Sequence, residues 1–130
     1  MCVLIKMETK EIINKCKFEF LNEVIEQKDI RLSEYKSILE AIKDKNFKFE
    51  ADSTVLVLAK KGKMFEINLI GAIVWEGLKK KFRFEKIVKI ISDFFEADPK
   101  LIEKDVNFFF QELLKNGFVK KLWGKKWLEK

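Results

Sequence analysis

The sequence predicts an α+β fold of winged-helix-like type: a three-stranded antiparallel sheet followed by three helices, with an N-terminal helical extension ahead of it. Three observations carry this prediction. Residues 47–67 alternate apolar and polar or run β-branched, broken by turn residues. Residues 69–95 hold two segments with apolar side chains every three to four positions. Asp98-Pro99 and Asn116-Gly117 then bracket a last helix with a start and a stop signal.

The elements follow in order. Residues 8–27 read as a helix, because Ile12, Ile13, Cys16, Phe20, Val24 and Gln27 recur at helical steps. Leu32 to Lys45 reads as a second helix, N-capped by Ser33, with Tyr35, Ile38, Leu39 and Ile42 as its apolar stripe. Phe47 to Glu50 alternates apolar and charged, which predicts the first strand. Thr54 to Ala59 is apolar on both faces and predicts the second. The later helices cover one of its faces, and the two N-terminal helices are available for the other. Lys60 to Lys63 has hairpin length and a glycine, and Met64 to Ile67 is the third strand. Asn68 ends that strand and caps the next helix, Leu69–Leu78, without a loop. Phe84–Phe95 places Phe84, Ile87, Val88, Ile91, Phe94 and Phe95 on a helical stripe. In the last helix Asp98 is the N-cap and Pro99 the first position, and the inner stripe is Ile102, Val106, Phe109 and Leu113. Phe118 to Trp123 is a short strand or a packed tail. The chain divides into a helical extension over 1–45, a winged-helix-like domain over 46–120 and a basic tail over 121–130.

Composition narrows the function. The 130 residues are 48% apolar and include thirteen Phe, enough for one packed domain. No apolar run approaches the ~18 residues that span a bilayer, and Met1 to Ile5 is too short for a signal core, so a soluble cytoplasmic protein with no membrane association is expected. Cys2 and Cys16 are expected as free thiols. There is no His, which removes the usual general base, the usual zinc ligand and every Ser-His or Cys-His nucleophile. No catalytic residue, metal or cofactor is predicted, and the protein is expected not to be an enzyme.

The net charge of +6 lies wholly in residues 46–130, because residues 1–45 balance nine basic against nine acidic groups. Lys115 to Lys130 holds six lysines against Glu129, a pattern that suits solubility or an anionic partner. Asp93, Glu96 and Asp98 read as a solvated turn with one N-cap, since they lack calcium-type ligand spacing. Lys60-Lys61-Gly62-Lys63 lacks phosphate-loop spacing, and Lys79-Lys80-Lys81 suits a helix C-terminus. Trp75 is expected in the core, whereas Trp123 and Trp127 fit an amphipathic last turn. A winged helix raises nucleic acid as a ligand. The last helix is the natural groove reader, and it balances Lys100, Lys104 and Lys115 against Glu103, Asp105 and Glu112 with no Arg, so nucleic acid is disfavoured. Phe108 lies off the inner stripe among mixed charges, which suits a peptide.

The order of these elements resembles the PqqD-like family of precursor-peptide recognition elements. Ile67-Asn68, Gly71-Ala72-Ile73, Trp75, Asp105-Val106, Phe109, Leu113 and Gly117 carry the resemblance, over about residues 46–120. Leu69 and the Arg83-Phe84 region stand where members often place small hydroxyl residues. The resemblance implies a non-catalytic adaptor. It binds a precursor leader peptide as an added antiparallel strand, in the groove between the third strand and the last helix. It presents that peptide to a modifying enzyme, often a radical S-adenosylmethionine enzyme. The predicted peptide-binding residues are Lys63, Met64, Phe65, Glu66 and Ile67 on the strand, with Phe108 as a pocket wall and Lys104, Asp105, Gln111 and Glu112 as its rim. The alternatives are a winged-helix nucleic-acid binder using the lysine-rich tail, and an assembly subunit that dimerises through residues 8–45.

Overall fold

A computed structural model of the chain describes residues 8–21, 23–48, 50 and 52–122. The described elements begin with helix α1 (Thr9–Asn14), strands β1 (Phe18–Phe20) and β2 (Ile25–Lys28), a 3-10 turn at Ile30–Leu32 and helix α2 (Ile38–Ala41). The hairpin β3 (Thr54–Lys60) and β4 (Lys63–Asn68) follows, then helices α3 (Leu69–Lys79), α4 (Phe84–Phe95) and α5 (Pro99–Lys115), and strand β5 (Val119–Lys121). The predicted class holds: a three-stranded antiparallel sheet, ordered β2-β3-β4, precedes three helices. A second, two-stranded sheet joins β1 to β5.

The first 45 residues differ from their predicted helices. The expected helix over 8–27 stops after one and a half turns because Cys16 takes a left-handed conformation, φ 53°. The Cys16 and Lys17 N–H groups close back onto the Ile13 and Ile12 carbonyls, a helix stop that glycine ordinarily provides. Cys16 has no disulfide partner among the described residues, and Cys2 lies outside them. The chain beyond α1 then supplies a strand to each sheet. The second expected helix, Leu32–Lys45, shrinks to α2, and its cap is Ser37, not Ser33. Phe47 and Lys48 form no strand. Phe47 instead packs edge-on against Tyr35, with ring centroids 5.8 Å apart, and β2 takes the third place in the sheet.

The later elements keep their predicted places. Asn68 accepts from the Gly71 N–H at 3.0 Å and Asp98 from the Lys100 N–H at 3.0 Å, so both predicted caps form. Leu56 and Leu58 of β3, Ile67 of β4 and Leu69, Ile73, Trp75 and Leu78 of α3 are buried together in the core. Trp75 packs edge-on against Phe20, centroids 4.8 Å apart. The inner stripe of α5 is Ile102, Val106, Phe110 and Leu113, not the predicted Phe109. Asp93 pairs with Lys89, and no cluster of metal-binding type exists among the described residues. No described helix is long and apolar enough to cross a membrane.

The N-terminal segment braces the rest. Asn14 of α1 accepts from the Phe84 N–H at 2.7 Å, supplying the cap that Arg83 itself does not provide at the start of α4. Its amide also reaches Glu85, which Lys10 pairs at 3.1 Å. The Glu85 carboxyl is held below the usual carboxylate range, first by its own backbone N–H, then by Lys10 and Asn14. On the other side, Glu76 of α3 accepts from the Leu39 N–H at 2.9 Å, and Lys79 meets Glu26 of β2 at 2.6 Å. The two N-terminal helices thus pack onto α3, α4 and α5 and do not cover the far face of the sheet. Ile25 and Met64 stay exposed there, on either side of Ala59 in one cross-strand row.

Candidate functional site

The site is built from the hairpin outward. Lys61 and Gly62 both have positive φ, 41° and 82°, which is a type I′ two-residue turn. Such a turn makes the flanking pair Lys60–Lys63 the hydrogen-bonded kind. Phe65 and Ile67 then share its phase and direct their N–H and C=O groups to β3. Met64 and Glu66 turn theirs the other way. Because β2 occupies the far edge of β3, that other way is open: among the described residues nothing pairs with the outer edge of β4. Two residues therefore offer two N–H and two C=O groups to an incoming strand.

Beside this edge runs a groove of about 480 Å³. Phe65 of β4, with Glu66 at the open edge, forms one wall, and Asp105, Phe108, Phe109 and Glu112 of α5 form the other. Ile70 and Gly71 at the start of α3, the cap Asn68, Asp52 and Thr54 complete the lining. Its floor is a ring stack. Phe65 lies parallel to Phe109 at 6.3 Å and to Phe118 at 5.6 Å, with interplanar angles of 8° and 7°. Gly71 permits this stack, since a Cβ there would lie 2.6 Å from Ile67 Cγ2 and 2.8 Å from Phe109 Cε1. Phe108, 67% exposed, stands over the floor as an uncovered wall.

Helical geometry sorts the α5 residues about Phe108. At about 100° per residue, Asp105 and Glu112 fall some 40–60° to the β4 side of Phe108, and Lys104 and Gln111 a similar angle to the other side. The contacts agree. Gln111 donates to Thr9 Oγ1 at 2.8 Å, and Lys104 lines a separate hollow with Thr9, Lys10 and Phe84.

The predicted site residues thus divide. Phe65, Asp105, Phe108 and Glu112 come together in the groove, and Glu66, which alternates to the far face of β4, borders it at the open edge. Met64 lies on the open edge and contributes backbone, its side chain 72% exposed on the far face. Ile67 is buried and positions the strand, and Lys63 is at the hairpin end. Lys104 and Gln111 face α1 and do not line the groove. Phe109, Ile70, Gly71, Asp52 and Thr54 were not predicted as site residues. Glycine three residues after a strand-ending cap was the signal that could have found the floor.

The groove is acidic. Asp52, Asp105 and Glu112 line it, Glu66 borders it at the β4 edge, and among the described residues no Lys or Arg lines it. Glu66 accepts from the Thr54 hydroxyl at 3.3 Å, and no described cation pairs with any of the four.

The family model described as coenzyme PQQ synthesis protein D (PqqD) matches residues 53–119, more than half of the chain. The match runs from the start of β3 to the start of β5, so it contains β4, the groove and α5. No curated protein and no solved structure matches the chain.

Proposed function

The chain belongs to the PqqD family of precursor-peptide recognition elements, and on that premise we propose that it captures a leader peptide by strand addition to β4. The added strand runs antiparallel to β4, with alternate side chains entering the groove against α5. The protein then presents the peptide to a modifying enzyme, of the radical S-adenosylmethionine type in our reading, and performs no chemistry itself. The described N-terminal residues, from 8 onward, act as a brace. β2 covers the edge of β3 and leaves β2 and β4 as the two free edges of the sheet; the groove lies beside β4 alone of the two, and it directs the leader there.

The observation that carries this reading is the phase of β4. Its unpaired backbone groups, at Met64 and Glu66, sit on the side where an aromatic-floored groove lies ready for side chains. Magnitudes require both parts. Each added backbone hydrogen bond contributes about 0.5–1.5 kcal/mol net. Association costs at least ~4 kcal/mol in lost freedom, so four such bonds alone bind weakly. Apolar burial against Phe108 and Phe109, at about 25 cal/mol per Å², supplies the remainder and the selectivity.

Nucleic acid does not fit this face. The groove side of α5 carries Asp105 and Glu112, which repel phosphate.

Replacing Phe108 with Ala tests the reading. The ring is mostly exposed, so its loss should change folding stability by no more than about 0.5 kcal/mol. Affinity for a cognate leader, read by fluorescence anisotropy, should fall about tenfold or more. Unchanged affinity with an intact fold removes Phe108 from the site.

A further inference from the structure

We propose that the groove selects its leader by charge: the docking strand is an apolar side chain flanked by lysine or arginine. This inference rests on the strand-addition reading and specifies the chemistry of the peptide. The chain carries a net charge of +6, yet among the described residues the charged groups lining the groove are carboxylates alone. The segregation is sharpest on α5. Its formal charge is balanced, but its groove-side charges are Asp105 and Glu112, while Lys100, Glu103 and Lys104, a net positive set, line the hollow facing α1. A basic protein that keeps an acidic lining beside an open strand edge discriminates against acidic peptides by local repulsion there, with no cation among the described lining residues to receive them.

The phase of β4 places the charges. In an antiparallel added strand, the residue opposite Phe65 points into the groove, above the Phe65–Phe109 stack and beside Phe108. That position takes an apolar side chain. Its neighbour opposite Glu66 lies on the far face of the sheet, within cross-strand reach of that carboxylate, and takes a cation. The neighbour opposite Met64 extends the exposed row of Ile25, Ala59 and Met64 and takes a second apolar residue. Asp105 and Glu112 lie one turn to either side of Phe108. Basic side chains two positions from the central apolar residue, on the groove side, reach them.

Each partly exposed pair discriminates by about two- to fivefold, so three pairs together give on the order of tenfold or more. The test is a library of random dodecapeptides selected on the full chain, then screened against the Met64→Pro variant to retain peptides that need the strand edge. Among these, Lys and Arg should exceed Asp and Glu by at least about threefold relative to the unselected library. The triple variant Glu66→Gln, Asp105→Asn, Glu112→Gln should weaken a retained peptide by about tenfold at low salt, with the difference shrinking at high salt. Edge-dependent peptides with no cationic excess, or equal binding by the triple variant, overturn the charge inference and leave strand addition standing. Selected peptides that all ignore Met64→Pro overturn strand addition itself, and this inference with it.

Discussion

Met64→Pro removes leader binding and leaves the fold standing. The Met64 N–H points away from β3, so proline there deletes no ladder hydrogen bond. Proline is tolerated on an edge strand with this orientation. The same ring takes one of the two donors offered to the leader and fills the space its acceptor would occupy. Affinity should fall on the order of 100-fold by anisotropy, more than the ~0.5–1.5 kcal/mol of one lost bond, because the neighbouring pair can no longer close. Circular dichroism and the melting temperature should stay near those of the parent chain. Phe65→Pro is the contrast. Its N–H serves β3 and its ring sits between Phe109 and Phe118, so that variant should lose about 3 kcal/mol or more of stability. If the two prolines behave alike, the phase assigned to β4 is wrong.

Gly71→Ala should damage both fold and site. Glycine to alanine inside a helix ordinarily gains about 0.5–1 kcal/mol. Here the new methyl would meet Ile67 Cγ2 at 2.6 Å and the Phe109 ring at 2.8 Å. Ile67 is buried and β-branched, so it cannot turn away cheaply. Phe109 is half-buried and yields first, swinging into the groove. Overpacking of this kind costs about 1–3 kcal/mol, which outweighs the helix gain. The melting temperature should drop by roughly 3–10 °C. Leader affinity should fall together with the Phe65–Phe109 stacking, which aromatic ring-current shifts report. A melting temperature equal to or above that of the parent would show that the groove floor has slack.

Much of this was legible in the sequence, for physical reasons. The boundaries of α4 and α5 follow from amphipathic spacing and from Asp98, Pro99 and Gly117, all local signals. The hairpin and the Asn68 cap are equally local. The errors cluster where distant contacts decide. All four residues of β2 are exposed, so it has no alternation to read, and its strand conformation comes from pairing with β3. Cys16 does the work of a glycine at the end of α1, and no composition rule announces that. Phe109 and Phe110 are adjacent apolar residues, and only the space left by Gly71 decides which one faces β4. Lys104 and Gln111 flank Phe108 as closely in sequence as Asp105 and Glu112 do. Their exclusion depends on α1 lying against that side of the helix.

The family match covers the hairpin and the three helices but not residues 8–48. Those residues cap α4 through Asn14, engage Glu76 through Leu39, and pair along both sheets. They move the second free edge of the sheet from β3 out to β2, away from the groove, and leave β4 as the free edge beside α5, which makes the orientation of β4 decisive for function.

Amide hydrogen exchange along β4, with and without a bound leader, tests that orientation most directly. The Phe65 and Ile67 amides should be protected in the free protein, while those of Met64 and Glu66 exchange fast and become protected only when the leader is present. A leader that binds while Met64 and Glu66 keep exchanging at their free rates would contradict strand addition at this edge.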